Sequence, residues 1–193
     1  IQLQRFCTIL EDGKKRGVDF NFIHCSNSGA ILNNYGEIFN TIRVGMLAYG
    51  IAPSEEVPMT ISVEPVMSFC GPVVNLRKVP KNTPISYGGL YVTKRVTNIG
   101  VVQMGFADGI PRPWYQKGYV SYNGRHYNIA GRICMDQFMV DFGDAKPRIG
   151  DEVLVCGKKK NDFIPVETIA SEIDSTPYVV LTGIHGRTEY IVT

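Results

Sequence analysis

A change in hydrophobic period at about Ser62 limits how this chain can fold. Downstream of it the period is two: Val63–Val74, Leu90–Val96 and Ile99–Met104 are rich in Val, Ile, Thr and aromatic residues, the composition of half-buried strands. Tyr119–Tyr127 reads as a hairpin whose two-residue turn is Asn123-Gly124, the pair that a type I′ turn prefers. Val153–Cys156 and Phe163–Ile164 read as a second hairpin. Its tip, Lys158-Lys159-Lys160-Asn161-Asp162, is a solvated turn rather than a binding patch. Val166–Ile173 is the one helix expected here, with Tyr178–Leu181 and Tyr190–Val192 as closing strands. Many short strands imply a barrel or a sandwich.

Upstream the pattern differs. Leu3, Phe6, Cys7 and Leu10 share one face of a helix, with Gly17 as its stop. Phe20–Cys25 reads as a short strand and Ser26–Leu32 as cap residues opening a short helix. Asn33-Asn34-Tyr35-Gly36 reads as a turn, and Phe39–Tyr49 as a second strand broken at Gly45. This is βα material of a parallel sheet, but only a short piece of one. Pro53, Pro58 and Pro65 punctuate a linker, so residues 1–55 and 56–193 are expected to be separate domains.

The chain has 193 residues and a formal net charge of +2, too small to argue for nucleic acid or an anionic membrane. No apolar run has membrane-spanning length. The opening Ile1-Gln2-Leu3-Gln4-Arg5 has neither an initiator Met nor a signal-peptide pattern, which suggests a fragment or a processed chain. Five cysteines without a Cys-x-x-Cys pair fit buried thiols in a reducing cytoplasm and no zinc site. His24, His126 and His185 show no ligand spacing, so no metal is expected.

The chemistry concentrates in a few stretches. Gly131–Asp141, GRICMDQFMVD, combines sheet residues (Met139, Val140) with Arg132 and Asp136. On spacing alone these two read as ionic anchors at the ends of a core strand, because buried charges need partners. Ile85-Ser86-Tyr87-Gly88-Gly89 and Gly105-Phe106-Ala107-Asp108-Gly109-Ile110-Pro111-Arg112 precede it. Taken bare, Tyr87 is a turn-edge aromatic. Ser26-Asn27-Ser28-Gly29 is a cap-and-turn composition that also suits a phosphate loop.

Together these stretches resemble alanine racemase, a family of pyridoxal 5'-phosphate (PLP) enzymes, and the resemblance runs over nearly the whole chain. It implies an α+β chain: terminal βα units of a (β/α)₈ barrel, then a mostly antiparallel β-barrel-like domain. The family's His-x-x-Asn-Ser and Arg-x-Gly segments stand here as His24-Cys25-Ser26-Asn27-Ser28 and Arg43-Val44-Gly45. They imply that Asn27, Ser28 and the amides of Gly45 and Met46 serve the PLP phosphate, and that Arg43 faces the pyridine nitrogen. Read without the family, Arg43 is a buried arginine in a salt bridge. The family's Ser-Tyr-Gly setting makes Tyr87 the catalytic base for the L-alanine face, opposite the PLP lysine. Met135 matches a residue whose backbone approaches the substrate carboxylate, and Tyr178 one that lies beside the substrate. Phe106 stands where the family has a Tyr that reaches the phosphate. The tail Gly186–Tyr190 lacks the usual Arg-x-Pro-Arg. No lysine here stands in the family's PLP-lysine motif, so the chain alone is expected to be inactive. The resemblance also implies a homodimer in which the β domain of one subunit completes the site on the other's barrel, and D-alanine supply for peptidoglycan. A serine or broad-specificity racemase, or a non-catalytic β-barrel interaction module, are the alternatives.

Overall fold

The structure is a computed structural model. It describes residues 1–35, 39–54 and 56–192 and divides into two compact units, Ile1–Glu64 and Pro65–Thr193.

The first unit opens with α1 (Gln2–Lys15), which has Lys14 and Lys15 in its last turn, where cations suit the helix dipole. Gly17 follows at φ 79° and ends the helix, as its sequence position implies. Phe6 packs edge-on against Phe39, with ring centroids 5.2 Å apart. A second helix, α2 (Ser28–Leu32), starts at Asn27, whose side chain accepts the Ala30 N–H. The strands expected at Phe20–Cys25 and Phe39–Tyr49 do not form. Their segments share the bond from Arg43 N–H to Ser26 O, 2.8 Å, and Asn40 braces both sides through Ile23 N–H and Asn21 O. A strand exists by its ladder, and two short extended segments without further neighbours do not make one. Phe22, Ile42 and Val44 are accordingly exposed. Met46–Tyr49 is a 3₁₀ turn closed by Gly50 at φ 72°. Gly36 of the expected turn and Glu55 at the expected domain boundary lie outside the described residues.

The second unit is a seven-stranded antiparallel sheet. Its strands are β1 (Ser68–Val79), β4 (Thr97–Val102), β5 (Tyr119–Tyr122), β6 (Arg125–Asn128), β7 (Phe138–Gly143), β8 (Glu152–Lys159) and β9 (Asp162–Ile164). The order is β6-β5-β8-β1-β4-β7, with β9 beside β8. A bridge from Ile129 to Val140 and the bond from Ala130 N–H to Met139 O at 2.7 Å join the two ends of that order. The sheet therefore curls into a barrel-like form, which removes its edges. Val73, Val102, Val120, Phe138, Val140 and Leu154 fill the interior with almost no exposure, each contributing roughly 1.5–3 kcal/mol of burial. The chain is thus α+β: a short helical part, then a mostly antiparallel β domain.

The β5–β6 hairpin turns on Asn123 (φ 52°) and Gly124 (φ 73°), both positive as a type I′ turn requires. The β8–β9 hairpin forms with longer strands than expected: Lys158 and Lys159 pair with Phe163 and Asp162, which shortens the turn to Lys160-Asn161, and α3 (Val166–Glu172) lies within the expected helical stretch. Both expected closing strands are overturned. Tyr178–Leu181 belongs to a helix, α4 (Pro177–Gly183), because Thr176-Pro177 is a helix-start pair that outweighs the β-branched Val179-Val180. Tyr190–Val192 forms no strand; the Tyr190 hydroxyl instead donates to Ile184 O at 2.8 Å. Leu90–Val96 contributes only β3 (Tyr91–Val92), paired with β2 (Pro84–Ile85) in a separate ribbon.

Candidate active site

Tyr87 leaves the β2–β3 ribbon on a short 3₁₀ turn, Tyr87–Gly89. The residue before it is strained: Ser86 has φ 62° and ψ 178°, a region that costs a non-glycine residue about 1–3 kcal/mol. Two contacts hold it there. Ser86 Oγ donates to Arg132 O at 2.9 Å, and Gly131 leaves no room behind, since a Cβ there would lie 2.7 Å from Ser86 Cβ. Gly88 (φ 76°) and Gly89 (φ 57°) complete a turn that L side chains resist. The result is a phenol 73% exposed on a fixed support.

Tyr87 lines a cleft of about 460 Å³ with Phe106, Arg112, Arg132, Met135 and Asp136. Two loops form its wall. Phe106 N–H donates to Cys134 O and Ala107 N–H to Met135 O, both at 3.0 Å. Gly105 permits this approach: a Cβ there would sit 2.2 Å from Met135 O and 2.4 Å from Cys134 O. The Arg112 guanidinium lies 6.0 Å from the centroid of the Phe106 ring, within cation–π range. Gly131–Asp136 is loop, not the start of a core strand, and Asp136 is exposed rather than buried. Asp136 still pairs, with Arg187 Nη2 at 2.7 Å, whereas Arg132 faces the cleft. Tyr178 is half-exposed on α4 and does not line this cleft.

In the first unit the structure brings Ser28 and Gly45 together. Ser28 is buried, and its Oγ accepts the Gly45 N–H at 3.0 Å. Gly45 opens the turn that carries Met46. Arg43 is exposed, not buried, and its partner is a histidine rather than a carboxylate: Arg43 Nη1 lies 2.8 Å from His24 Nδ1. Arginine has donors only, so in this contact the Arg43 guanidinium donates to His24 Nδ1. Asn27 caps α2.

Arg112, Asp108 and Arg187 are site neighbours that sequence reasoning did not assign. Arg112 closes a motif already singled out, and its charge after Ile110-Pro111 was the available signal. Arg187 gave none, because its partner Asp108 is 79 residues away.

Comparison with known proteins defines the class first. Residues 66–192 match the family model described as alanine racemase, C-terminal domain, and residues 1–53 match alanine racemase, N-terminal domain. The chain is therefore a racemase-type polypeptide with material from both domains. Alanine racemase 2 of Caldanaerobacter subterraneus subsp. tengcongensis is 35% identical over 187 residues, which cover 96% of this chain and 48% of that protein. The alanine racemase structure from Streptomyces coelicolor A3(2) superposes with a TM-score of 0.87 at 34% identity, covering 96% of this chain and 49% of that one. The Bartonella henselae enzyme, which carries covalently bound pyridoxal phosphate, gives 0.79 at 27% identity over 98% of this chain and 50% of its own. The chain belongs to the alanine racemase family. It spans about half the length of the relatives it matches.

Proposed function

We propose that this chain is the C-terminal portion of a PLP-dependent alanine racemase that interconverts L- and D-alanine, with residues 1–55 ending a (β/α)₈ barrel and 56–193 forming its β domain. One observation carries the reading: an exposed tyrosine on a strained, braced turn stands at an arginine-flanked cleft.

The donors of the first unit suit the cofactor. A buried hydroxyl (Ser28) held against the backbone at Gly45 and Met46 is the kind of group a phosphate needs. Ser28, Gly45 and Met46 would hold the phosphate, with Asn27 fixing the helix start beside them. Arg43 would face the pyridine nitrogen, oriented by His24. Arg43 donates and keeps its own protons, so it would leave that nitrogen unprotonated and would limit charge delocalisation into the ring. Bound PLP supplies the electron sink that acidifies the Cα–H of the amino acid.

Tyr87 takes the Cα proton of L-alanine on one face and returns one there in the reverse direction. Neighbouring positive charge favours a phenol in this role. Arg132 is its cationic neighbour in this chain: an added Cβ on Gly88 would lie 3.9 Å from Arg132 Nη1. The Met135 backbone meets the substrate carboxylate, and Tyr178 constrains the substrate. The attachment lysine lies outside this sequence, so this chain alone is inactive. In the homodimer Tyr87 and Met135 serve the partner's barrel. A cytoplasmic setting and D-alanine supply for peptidoglycan belong to the same reading; of the five thiols expected to be buried, Cys156 is, while Cys7, Cys25, Cys70 and Cys134 are partly exposed.

Absorbance tests it. The full-length protein carrying this sequence turns yellow with PLP, loses the colour on borohydride treatment with the cofactor left permanently attached, and racemises alanine. Specific yellow binding by the 193-residue chain alone would refute the fragment reading.

A further inference from the structure

Arg187, in the tail after α4, touches both loops of the cleft wall. Its Nε donates to Asp108 Oδ1 at 2.6 Å, and its Nη2 reaches Asp108 Oδ2 at 3.1 Å and Asp136 Oδ1 at 2.7 Å. Asp108 ends the turn that carries Phe106, and Asp136 follows Met135. Asp108 is itself fixed. Its Oδ2 accepts the Gly105 N–H at 2.7 Å, and Thr188 Oγ1 donates to its carbonyl at 3.3 Å. The tail is anchored from the other side by Tyr190. The end of α4 also abuts the Phe106 loop, where a Cβ on Gly109 would lie 2.4 Å from Gly183 O.

A planar guanidinium with donors on two edges can bridge two carboxylates at fixed separation; an ammonium on a flexible stem cannot do so as rigidly. As an exposed ion pair this contact adds little stability. Its position gives it another use. The backbone bonds from Phe106 and Ala107 set how far apart the loops lie at Cys134 and Met135. Beyond Met135 it is Arg187 that ties Asp136 to the Phe106 wall.

We infer that Arg187 is a positioning residue, clamping Met135–Asp136 against Phe106–Asp108 so that the Met135 backbone is held ready for the substrate carboxylate. The clamp stands on geometry alone; its consequence for binding rests on the racemase reading.

Two measurements test it separately. In the 193-residue chain, Arg187→Gln speeds amide exchange at Phe106 and Ala107 by about tenfold while Val102 and Val140 in the sheet stay unchanged. Arg187→Lys restores part of the protection. Unchanged exchange at Phe106 and Ala107, or a rise shared equally by the sheet, overturns the clamp. In the full-length protein, Arg187→Gln raises KM for alanine about tenfold with kcat within about twofold, the mark of lost ground-state binding. An unchanged KM overturns the positioning role. Absence of racemisation in the unsubstituted protein overturns the racemase reading instead, and leaves the clamp to stand or fall on exchange.

Discussion

Gly105→Ala isolates the close approach that builds the cleft wall. Gly105 has φ −150° and ψ −162°, extended backbone that alanine adopts freely, so conformational freedom is not why glycine stands there. Space is. The new Cβ would lie 2.2 Å from Met135 O and 2.4 Å from Cys134 O, against a van der Waals separation of roughly 3.5 Å. The loops must part by about 1 Å, which stretches the bonds from Phe106 and Ala107 past hydrogen-bond range. Two such bonds contribute about 1 kcal/mol each, and overpacking costs a further ~1–3 kcal/mol. The lower entropy of the unfolded alanine chain returns only about 0.4–1 kcal/mol. The net expected loss is about 2–5 kcal/mol, a large share of the ~5–15 kcal/mol that stabilises an ordinary domain. Urea unfolding followed by circular dichroism should show a lower midpoint at unchanged slope. Gly124→Ala is the comparison: φ is 73° there with nothing within 4 Å, so it loses only the left-handed penalty of about 1–2 kcal/mol. A Gly105→Ala protein as stable as wild type, or more stable than Gly124→Ala, would refute the steric argument.

Trp114 is buried, and its Nε1–H donates to Glu172 Oε2 at 2.6 Å. Trp114→Phe removes volume and leaves that carboxylate short of a partner, a loss of about 2–4 kcal/mol by thermal or urea melting. Asp141 tests acid stability. Burial pushes its carboxyl up, but hydrogen bonds from Thr97, Tyr91 and the Gly143 amide outweigh this and hold it below the usual carboxylate range. A carboxyl lowered in the folded state stabilises above its unfolded pKa and loses that contribution as pH falls toward its folded one. Asp141→Asn should therefore flatten the acid limb of the stability curve, and an unchanged acid midpoint would contradict this. Phe106→Tyr in the full-length protein should tighten PLP about fivefold in an absorbance titration, the effect of one regained hydrogen bond.

Local signals were legible wherever backbone geometry left one solution. Asn123-Gly124 could only be a turn with two positive φ values, and the cap at Asn27 followed from its place before a helix. The Ser-Tyr-Gly segment marked Tyr87, but not the strain at Ser86 or its brace on Arg132 O, because those depend on a loop 46 residues away. Phe20–Cys25 reads apolar enough for a strand, yet among the described residues it has no ladder partner. Val179-Val180 looked like sheet until the Thr176-Pro177 start signal was given its weight. Arg43 was expected on an apolar strand with a carboxylate partner; on an exposed segment it takes His24 instead.

The central claim is that the Tyr87 phenol handles the Cα proton on the L-alanine face. The two enantiomers have equal free energy, so kcat/KM must fall alike in both directions for any variant. Solvent-deuterium exchange at Cα, followed for each enantiomer in the full-length Tyr87→Phe protein, separates the faces. The account predicts that D-alanine goes on exchanging with retention while exchange into L-alanine drops at least about a hundredfold, the scale of a lost general base. Exchange into L-alanine that persists, or falls no more than that of D-alanine, would contradict it.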